Sequence, residues 1–89
     1  MNKAKEFINS HNLINRIYDM VLYFGIIKSE NREFYIKKFF SQRLKKLEYV
    51  ETLAKYFENK IKTSQQNIEL KYNLRELVYD LNYLKQYLR

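Results

Sequence analysis

Six leucines near the C-terminus recur at alternating intervals of four and three residues. They are Leu70, Leu74, Leu77, Leu81, Leu84 and Leu88. A mean spacing of about 3.5 residues lines one side of an α-helix with apolar side chains and is typical of helices that pack lengthwise against another helix. This set, hereafter the leucine row, predicts a helix over residues 67–88 that packs against a second helix.

Residues that interrupt helices are scarce in this chain. It has no proline and a single glycine, Gly25, among 89 residues. Few breakers favour few, long helices. We therefore predict an all-α fold in a single helical domain spanning residues 1–89, with helices over about 3–24, 30–61 and 67–88. Short connections between them favour a three-helix antiparallel bundle with a long central helix and coiled-coil-like heptad packing.

The first predicted helix carries its apolar side chains on one side. They are Phe7, Ile14, Ile17, Tyr18, Val21 and Phe24. Gly25 stands where a left-handed residue commonly ends a helix, and Ile26 can supply the apolar contact that accompanies such a cap. The alternative is a break near Ser10, whose side chain can cap the start of a second helix.

The central predicted helix has a second apolar row at the same intervals. Its members are Ile36, Phe40, Leu47, Val50, Ala54, Phe57 and Ile61. A continuous helix over 30–61 would be about 48 Å long at 1.5 Å per residue. Ser29 or Asn31 can cap its start. The polar stretch 63–67 predicts the second turn, and the alternative is a helix that continues through it.

Arg43 is the one polar member of this central row. A charged group among apolar side chains is costly unless it is paired. We expect an ion pair with Asp19, Asp80 or Glu76 from another helix, which would set the helix register. The alternatives are a guanidinium that extends to the surface over its neighbours, or an open site where it binds an anion.

Four tyrosines lie on the side of the third helix opposite the leucines. They are Tyr72, Tyr79, Tyr83 and Tyr87, hereafter the tyrosine row. A helix that is apolar on one side and aromatic on the other has more surface to bury than two partners in one small chain can cover. We therefore expect a homodimer that uses the leucine and tyrosine rows. The alternative is that the tyrosines are half-exposed, which their hydroxyl groups allow.

The net charge of +7 favours an acidic partner, and over half of it lies between residues 29 and 62. One side of the central helix carries lysines, tyrosines and a glutamine without any acidic residue: Lys38, Gln42, Lys45, Tyr49, Tyr56 and Lys60. This basic strip could contact phosphates and stack on bases, or bind an acidic protein. The alternative is a solvated face, since abundant Lys, Asn, Ile and Tyr also reflect an AT-rich genome.

Signatures of catalysis are missing from the sequence. There is no cysteine, His11 is the only histidine, and one glycine cannot build a phosphate-binding loop. We expect no enzymatic activity, no metal and no cofactor. The most apolar run, residues 13–27, is short and contains charges, so we expect no membrane span and a cytoplasmic protein.

These observations favour a non-catalytic helical interaction module that self-associates and docks on a larger protein partner. An adaptor, an assembly subunit or a mobile-element-type inhibitor fits this description. The first alternative is a basic protein that contacts nucleic acid phosphates through the Lys38–Lys60 face. A peripheral membrane helix is the less favoured alternative, because the apolar row opposite the lysines has the spacing of a protein-packing surface.

Overall fold

The chain folds into helices, as its shortage of helix breakers predicts. A computed structural model describes residues 2–28, 31–64 and 66–89, and these contain no β-strand. The elements in chain order are α1 (Lys3–Ser10), α2 (Leu13–Tyr23), α3 (Arg32–Phe34), a π-helix (Tyr35–Phe39), α4 (Phe40–Arg43), α5 (Leu47–Thr63) and α6 (Ile68–Leu88). The all-α prediction is confirmed at this level. No helix in the described ranges combines the length and the apolar character needed to cross a bilayer.

Gly25 ends α2 in the way that its position predicts. Its φ is +75°, in the left-handed region that glycine adopts without a steric penalty. The amide of Gly25 donates to the carbonyl of Leu22 at 3.1 Å, and the amide of Ile26 donates to the carbonyl of Val21 at 2.9 Å. This pair of hydrogen bonds is a Schellman motif, which satisfies the last carbonyls of the helix and reverses the chain direction.

The first predicted helix is broken, close to the alternative position near Ser10. Asn12 has a left-handed backbone with φ of 52° and separates α1 from α2. Ser10 does not cap α2, because its hydroxyl donates back to the carbonyl of Phe7 at 3.3 Å. Because the helix is broken here, α1 and α2 can each pack against α6 separately. Each of the two helices therefore buries its own apolar residues.

The prediction of one continuous central helix over 30–61 is wrong. The backbone leaves the helix at Leu44–Lys46, where Lys46 is extended with ψ of 121°. Phe40 and Leu44 are 2% and 0% exposed. A straight rod of that length would extend beyond its neighbours and leave such side chains in water, so burial of these two residues favours the turn over the regular helix.

The start of the central segment differs from its predicted capping. Asn31 precedes α3 with a left-handed φ of 68° and no side-chain capping bond, whereas Ser29 lies outside the described residues. A π-helical turn follows, in which the amide of Phe40 donates to the carbonyl of Tyr35. Such a turn adds one residue to the helical repeat and rotates the side chains that follow it, so the regular three–four spacing does not persist across this segment.

The second turn lies where it was predicted, between α5 and α6. Helix α5 ends at Thr63 and α6 begins at Ile68; Gln65 lies outside the described residues. The side chain of Asn67 caps α6 by accepting a hydrogen bond from the backbone amide of Leu70 at 3.0 Å. Helices α5 and α6 form the most extensive helix pair in the fold. The four inner members of the leucine row lie in the core with Val50, Ala54 and Phe57, and the two end members pack against it.

Arg43 does not make the ion pair expected from its place in the apolar row. Its side chain is exposed, and among the described residues it has no carboxylate partner. The three expected partners are engaged elsewhere: Asp80 with Arg16 at 2.6 Å, Asp19 with Arg32 at 3.9 Å, and Glu76 with the hydroxyl of Tyr72 at 3.0 Å. The turn at 44–46 moves Arg43 out of the core, which removes the need for a buried partner.

Candidate functional site

The two sides of α6 have opposite roles in the fold. Leu74, Leu77, Leu81 and Leu84 are at most 1% exposed, so they are fully used within one chain, and the prediction that they mediate self-association does not match their burial. Leu70 and Leu88, at the two ends, are half-buried. The tyrosine row lies on the opposite, outer side, so only this side of α6 presents apolar surface to another molecule.

This outer side is the largest concentration of exposed apolar residues in the described chain. Tyr72, Tyr79, Tyr83 and Tyr87 are 61%, 65%, 40% and 39% exposed, and Ile68 is 83% exposed. We call these five residues the outer face of α6. The hydroxyl of Tyr72 donates to Glu76, and this hydrogen bond raises the pKa of Tyr72 above its usual value.

Aromatic contacts extend the outer face onto α1. The ring of Phe7 stacks on Tyr83 at 5.3 Å between centroids and on His11 at 4.0 Å. Tyr79 continues the series on the other side of Tyr83 at 6.5 Å. The rings therefore form a row across two helices, which fixes the orientation of Tyr83 and lowers the entropy lost when a partner covers it.

The turn at 44–46 divides the predicted basic strip into two parts. Lys38, Gln42 and Lys45 are exposed on the segment before the turn, whereas Tyr49, Tyr56 and Lys60 lie on α5 and are partly buried. The strip is therefore not one straight face. The structure brings only its second part together, at a groove that the sequence did not reveal.

This groove lies between the end of α2, the π-helix and α5, and has a volume of about 330 Å³. Its lining is almost wholly apolar: Val21, Ile26, Ile27, Phe39, Phe40, Tyr49, Thr52, Leu53 and Tyr56. We call it the aromatic groove. The Schellman turn at Gly25 turns the chain so that Ile26 and Ile27 reach its wall, and the π-helix supplies Phe39. Its volume is at the lower end of the range for ligand pockets and is large enough for one or two side chains of a partner.

Two cations lie on the rings at this groove. The guanidinium of Arg43 lies 4.3 Å from the ring centre of Phe39 and 5.8 Å from that of Tyr49. The ammonium of Lys60 lies 5.2 Å from Tyr56 and 5.0 Å from Phe24. All four distances are within the range of cation–π attraction. No acidic residue lines the groove among the described residues.

The pKa of Tyr49, which lines the groove, depends both on its burial and on a neighbouring charge. Burial raises the pKa of the Tyr49 hydroxyl above its usual value, and the positive charge of Arg43 partly opposes that rise. The predicted strip named Tyr49 but not Arg43, because Arg43 was assigned to the core from its spacing. The signal that could have placed it here is the run of aromatic residues just before it, Tyr35 and Phe39–Phe40, which provides rings for a cation to cover.

Clusters of metal-ligating side chains are absent from the described residues. No three His, Asp or Glu side chains come close enough together to hold a metal ion in that part of the chain. The ring nitrogen Nδ1 of His11 lies 3.1 Å from both the carbonyl of Phe7 and the hydroxyl of Ser10. These contacts are local to the end of α1 and assemble no reactive group.

No family model matches the chain, and comparisons with curated proteins and with solved structures gave no match either. The outer face of α6 and the aromatic groove are therefore the features of this fold that indicate a function.

Proposed function

We propose that this protein is a non-catalytic interaction module that forms a homodimer through the outer face of α6 and docks on a larger protein partner. The observation that carries the proposal is the concentration of exposed apolar side chains on one helix. Of the eight large hydrophobic residues that are exposed in the described chain, five belong to this face. Single exposed apolar residues are ordinary, but a contiguous group is typical of a protein interface.

The spacing of these residues supports helix-to-helix contact. Ile68, Tyr72, Tyr79, Tyr83 and Tyr87 follow one another at intervals of four or seven residues, which keeps them on one side of α6. A two-fold axis near Tyr79 would place the face of one copy against the same face of a second, antiparallel copy. Tyrosine suits this role because its ring is buried while its hydroxyl group keeps a hydrogen bond.

The aromatic groove supports the second half of the proposal. None of its lining residues belongs to the outer face of α6, so a dimer formed through α6 leaves the groove available in each copy. Two grooves in one assembly would strengthen binding to a partner that carries two matching segments. Such a protein acts as an adaptor, an assembly subunit or an inhibitor of the mobile-element type.

The nucleic-acid alternative keeps part of its support. Lys38 and Lys45 are exposed and can contact phosphates. The rings of Tyr49 and Tyr56 are partly buried, and Arg43 and Lys60 already lie over them, which leaves less ring surface for stacking on bases. The remaining interaction is charge attraction, so oligonucleotide binding would weaken steeply with salt and show little base preference.

Sedimentation equilibrium at low micromolar concentration tests the dimer. We expect a species with twice the 11.1 kDa mass of one chain. Replacing Tyr79 with lysine should shift the protein to monomer, because the change places like charges at the proposed two-fold axis. The matched control is Tyr23→Lys, since Tyr23 is 63% exposed at the end of α2 and does not belong to the outer face of α6. A wild-type protein that sediments as a monomer throughout this range overturns the dimer.

A further inference from the structure

We infer that the aromatic groove binds an acidic amphipathic helix of a partner protein. In this complex, apolar side chains of the helix enter the groove and two carboxylates reach Arg43 and Lys60. The inference rests on the proposed function and names the chemistry of the docking partner.

The apolar floor of the groove favours apolar side chains of a partner. Leu53 is 7% exposed and Phe40 is 2% exposed, so the base of the groove is formed by core residues that do not swing out. Ile26, which is 52% exposed, and Thr52 lie at its edge. A concave, apolar site between helices is the geometry in which an amphipathic helix inserts its apolar side chains.

The two cations determine the charge of the partner. Neither Arg43 nor Lys60 makes an ion pair with any residue that the structure describes, a property that they share with most of the lysines and arginines in the described chain. Aromatic rings hold them instead, at 4.3 Å for Arg43 and Phe39 and at 5.2 Å for Lys60 and Tyr56. Their positive charges are therefore positioned beside an apolar groove but not neutralised, and this arrangement is complementary to acidic side chains.

The spacing of Tyr49 and Tyr56, the two α5 rings that the cations contact, sets the register expected of the partner. Tyr49 and Tyr56, which Arg43 and Lys60 cover, are seven residues apart on α5, or about 10.5 Å along the axis. Two acidic residues seven positions apart on a partner helix have the same separation. Apolar residues three and four positions after the first acidic residue then lie on the same side of that helix, between the carboxylates and above the groove.

A nucleic acid fits this site less well than a helix. Its phosphates would find only two cations at the groove, and its sugars and bases would cover an apolar floor that offers few hydrogen-bonding groups. Specific protein–nucleic acid interfaces are more polar and more positively charged than this. Arg43 and Lys60 also occupy ring surface on which bases would stack.

The test uses the full chain and a synthetic peptide labelled for fluorescence anisotropy. The peptide is an alanine-based helix with two adjacent leucines between two glutamates that are seven residues apart. The control peptide replaces both glutamates with lysines. We expect saturable binding of the acidic peptide and at least about tenfold weaker binding of the basic one, since like charges then face each other.

Two kinds of variant test the site within the protein. Arg43→Gln and Lys60→Gln should each weaken acidic-peptide binding by about three- to tenfold, and Lys62→Gln, an exposed lysine two residues from Lys60, should not. Thr52→Glu at the groove edge should weaken binding further than Thr52→Gln, which has a similar shape without the charge. Circular dichroism checks that each variant keeps its helices.

The outcomes separate this inference from the dimer proposal. Equal binding of both peptides, or binding that ignores Arg43, Lys60 and Thr52, overturns the inference even if the protein is a dimer. Competition by an unlabelled oligonucleotide that depends on the same residues overturns it in favour of nucleic acid. Loss of the dimer when Arg43 and Lys60 are replaced also overturns it, because the groove would then be occupied by a second copy. Acidic-peptide binding by a monomer supports the inference while the dimer proposal fails.

Discussion

Arg16 on α2 and Asp80 on α6 form an ion pair in which nitrogen and oxygen lie 2.6 Å apart, although 64 residues separate them along the chain. Both side chains are largely shielded from water, at 29% and 14% exposure. The same guanidinium nitrogen donates to the carbonyl of His11 at 3.0 Å. Arg16 therefore ties the corner between α1 and α2 to the side of α6, the role that sequence spacing assigned to Arg43.

Removing one member of this pair should destabilise the fold. Arg16→Met leaves the Asp80 carboxylate without its partner in a partly shielded position, and we expect a loss of about 1–3 kcal/mol in the free energy of unfolding. Urea denaturation followed by circular dichroism measures it. The control is Lys37→Met, because Lys37 and Glu33 form an ion pair at 2.9 Å whose side chains are 71% and 78% exposed; its effect should stay below about 0.5 kcal/mol. Equal effects of the two changes would contradict the importance of shielding.

Gly25→Ala should destabilise α2 through the backbone alone. A Cβ at this position meets nothing within 4 Å, but φ is +75°, a conformation that costs an L-residue roughly 1–2 kcal/mol. We expect a loss of about 1 kcal/mol, and a smaller loss for Gly25→Asn, since asparagine tolerates this region better. Thermal unfolding of the three proteins gives the order. A stabilised alanine variant would mean that the turn is left-handed only in part of the population.

Substitutions on the two sides of α6 should affect different properties: the stability of one chain on the leucine side, and the dimer on the tyrosine side. Leu81→Ala removes a side chain that is 0% exposed, and we expect a loss of about 2–5 kcal/mol. Tyr79→Ala, at 65% exposure, should change the stability of a single chain by no more than about 0.5 kcal/mol. Any larger effect should depend on protein concentration, because it reports the dimer. Urea denaturation at two protein concentrations separates the contributions. A concentration-independent loss at Tyr79 as large as that at Leu81 would place the ring inside one chain.

Alkaline titration should show Tyr49 ionising later than a tyrosine in an unfolded chain. Burial raises its pKa above the reference value of 10.0. Above that pH the unfolded chain loses the proton first, so the folded state binds more protons and its stability falls as pH rises towards the higher pKa. Tyr49→Phe should make this decline shallower. Ultraviolet difference absorbance follows the ionisation, and an unchanged pH dependence in the variant would show that Tyr49 is solvated.

Local features of the fold were readable from the residues near them. The end of α2 was predicted from Gly25 and Ile26, because a helix stop depends on a few consecutive residues. The turn between α5 and α6 was predicted from a polar stretch without apolar periodicity. The leucine row was expected to pack against a second helix, and it does so within one chain, although the same residues had also been assigned to self-association.

The candidate site was only partly predictable. Tyr49, Tyr56 and Lys60 were identified from their shared side of a helix, and they do line or cover the aromatic groove. The groove itself joins α2, the π-helix and α5, so residues such as Ile26 and Phe39 enter it from distant parts of the chain. A periodic pattern reports neighbours on one helix and carries no information about neighbours across helices.

The amino-acid sequence by itself determined that this chain is helical and which side of α6 is buried, because breaker content and apolar spacing act within a few turns. Tertiary structure decided where the helices break. The turn at Leu44–Lys46 interrupts a spacing that would support one long helix, since burying Phe40 and Leu44 in a shared core outweighs the hydrogen bonds of a continuous rod. That same turn carried Arg43 from an expected core position to the rings of Phe39 and Tyr49, because the location of a side chain depends on the path of the whole chain.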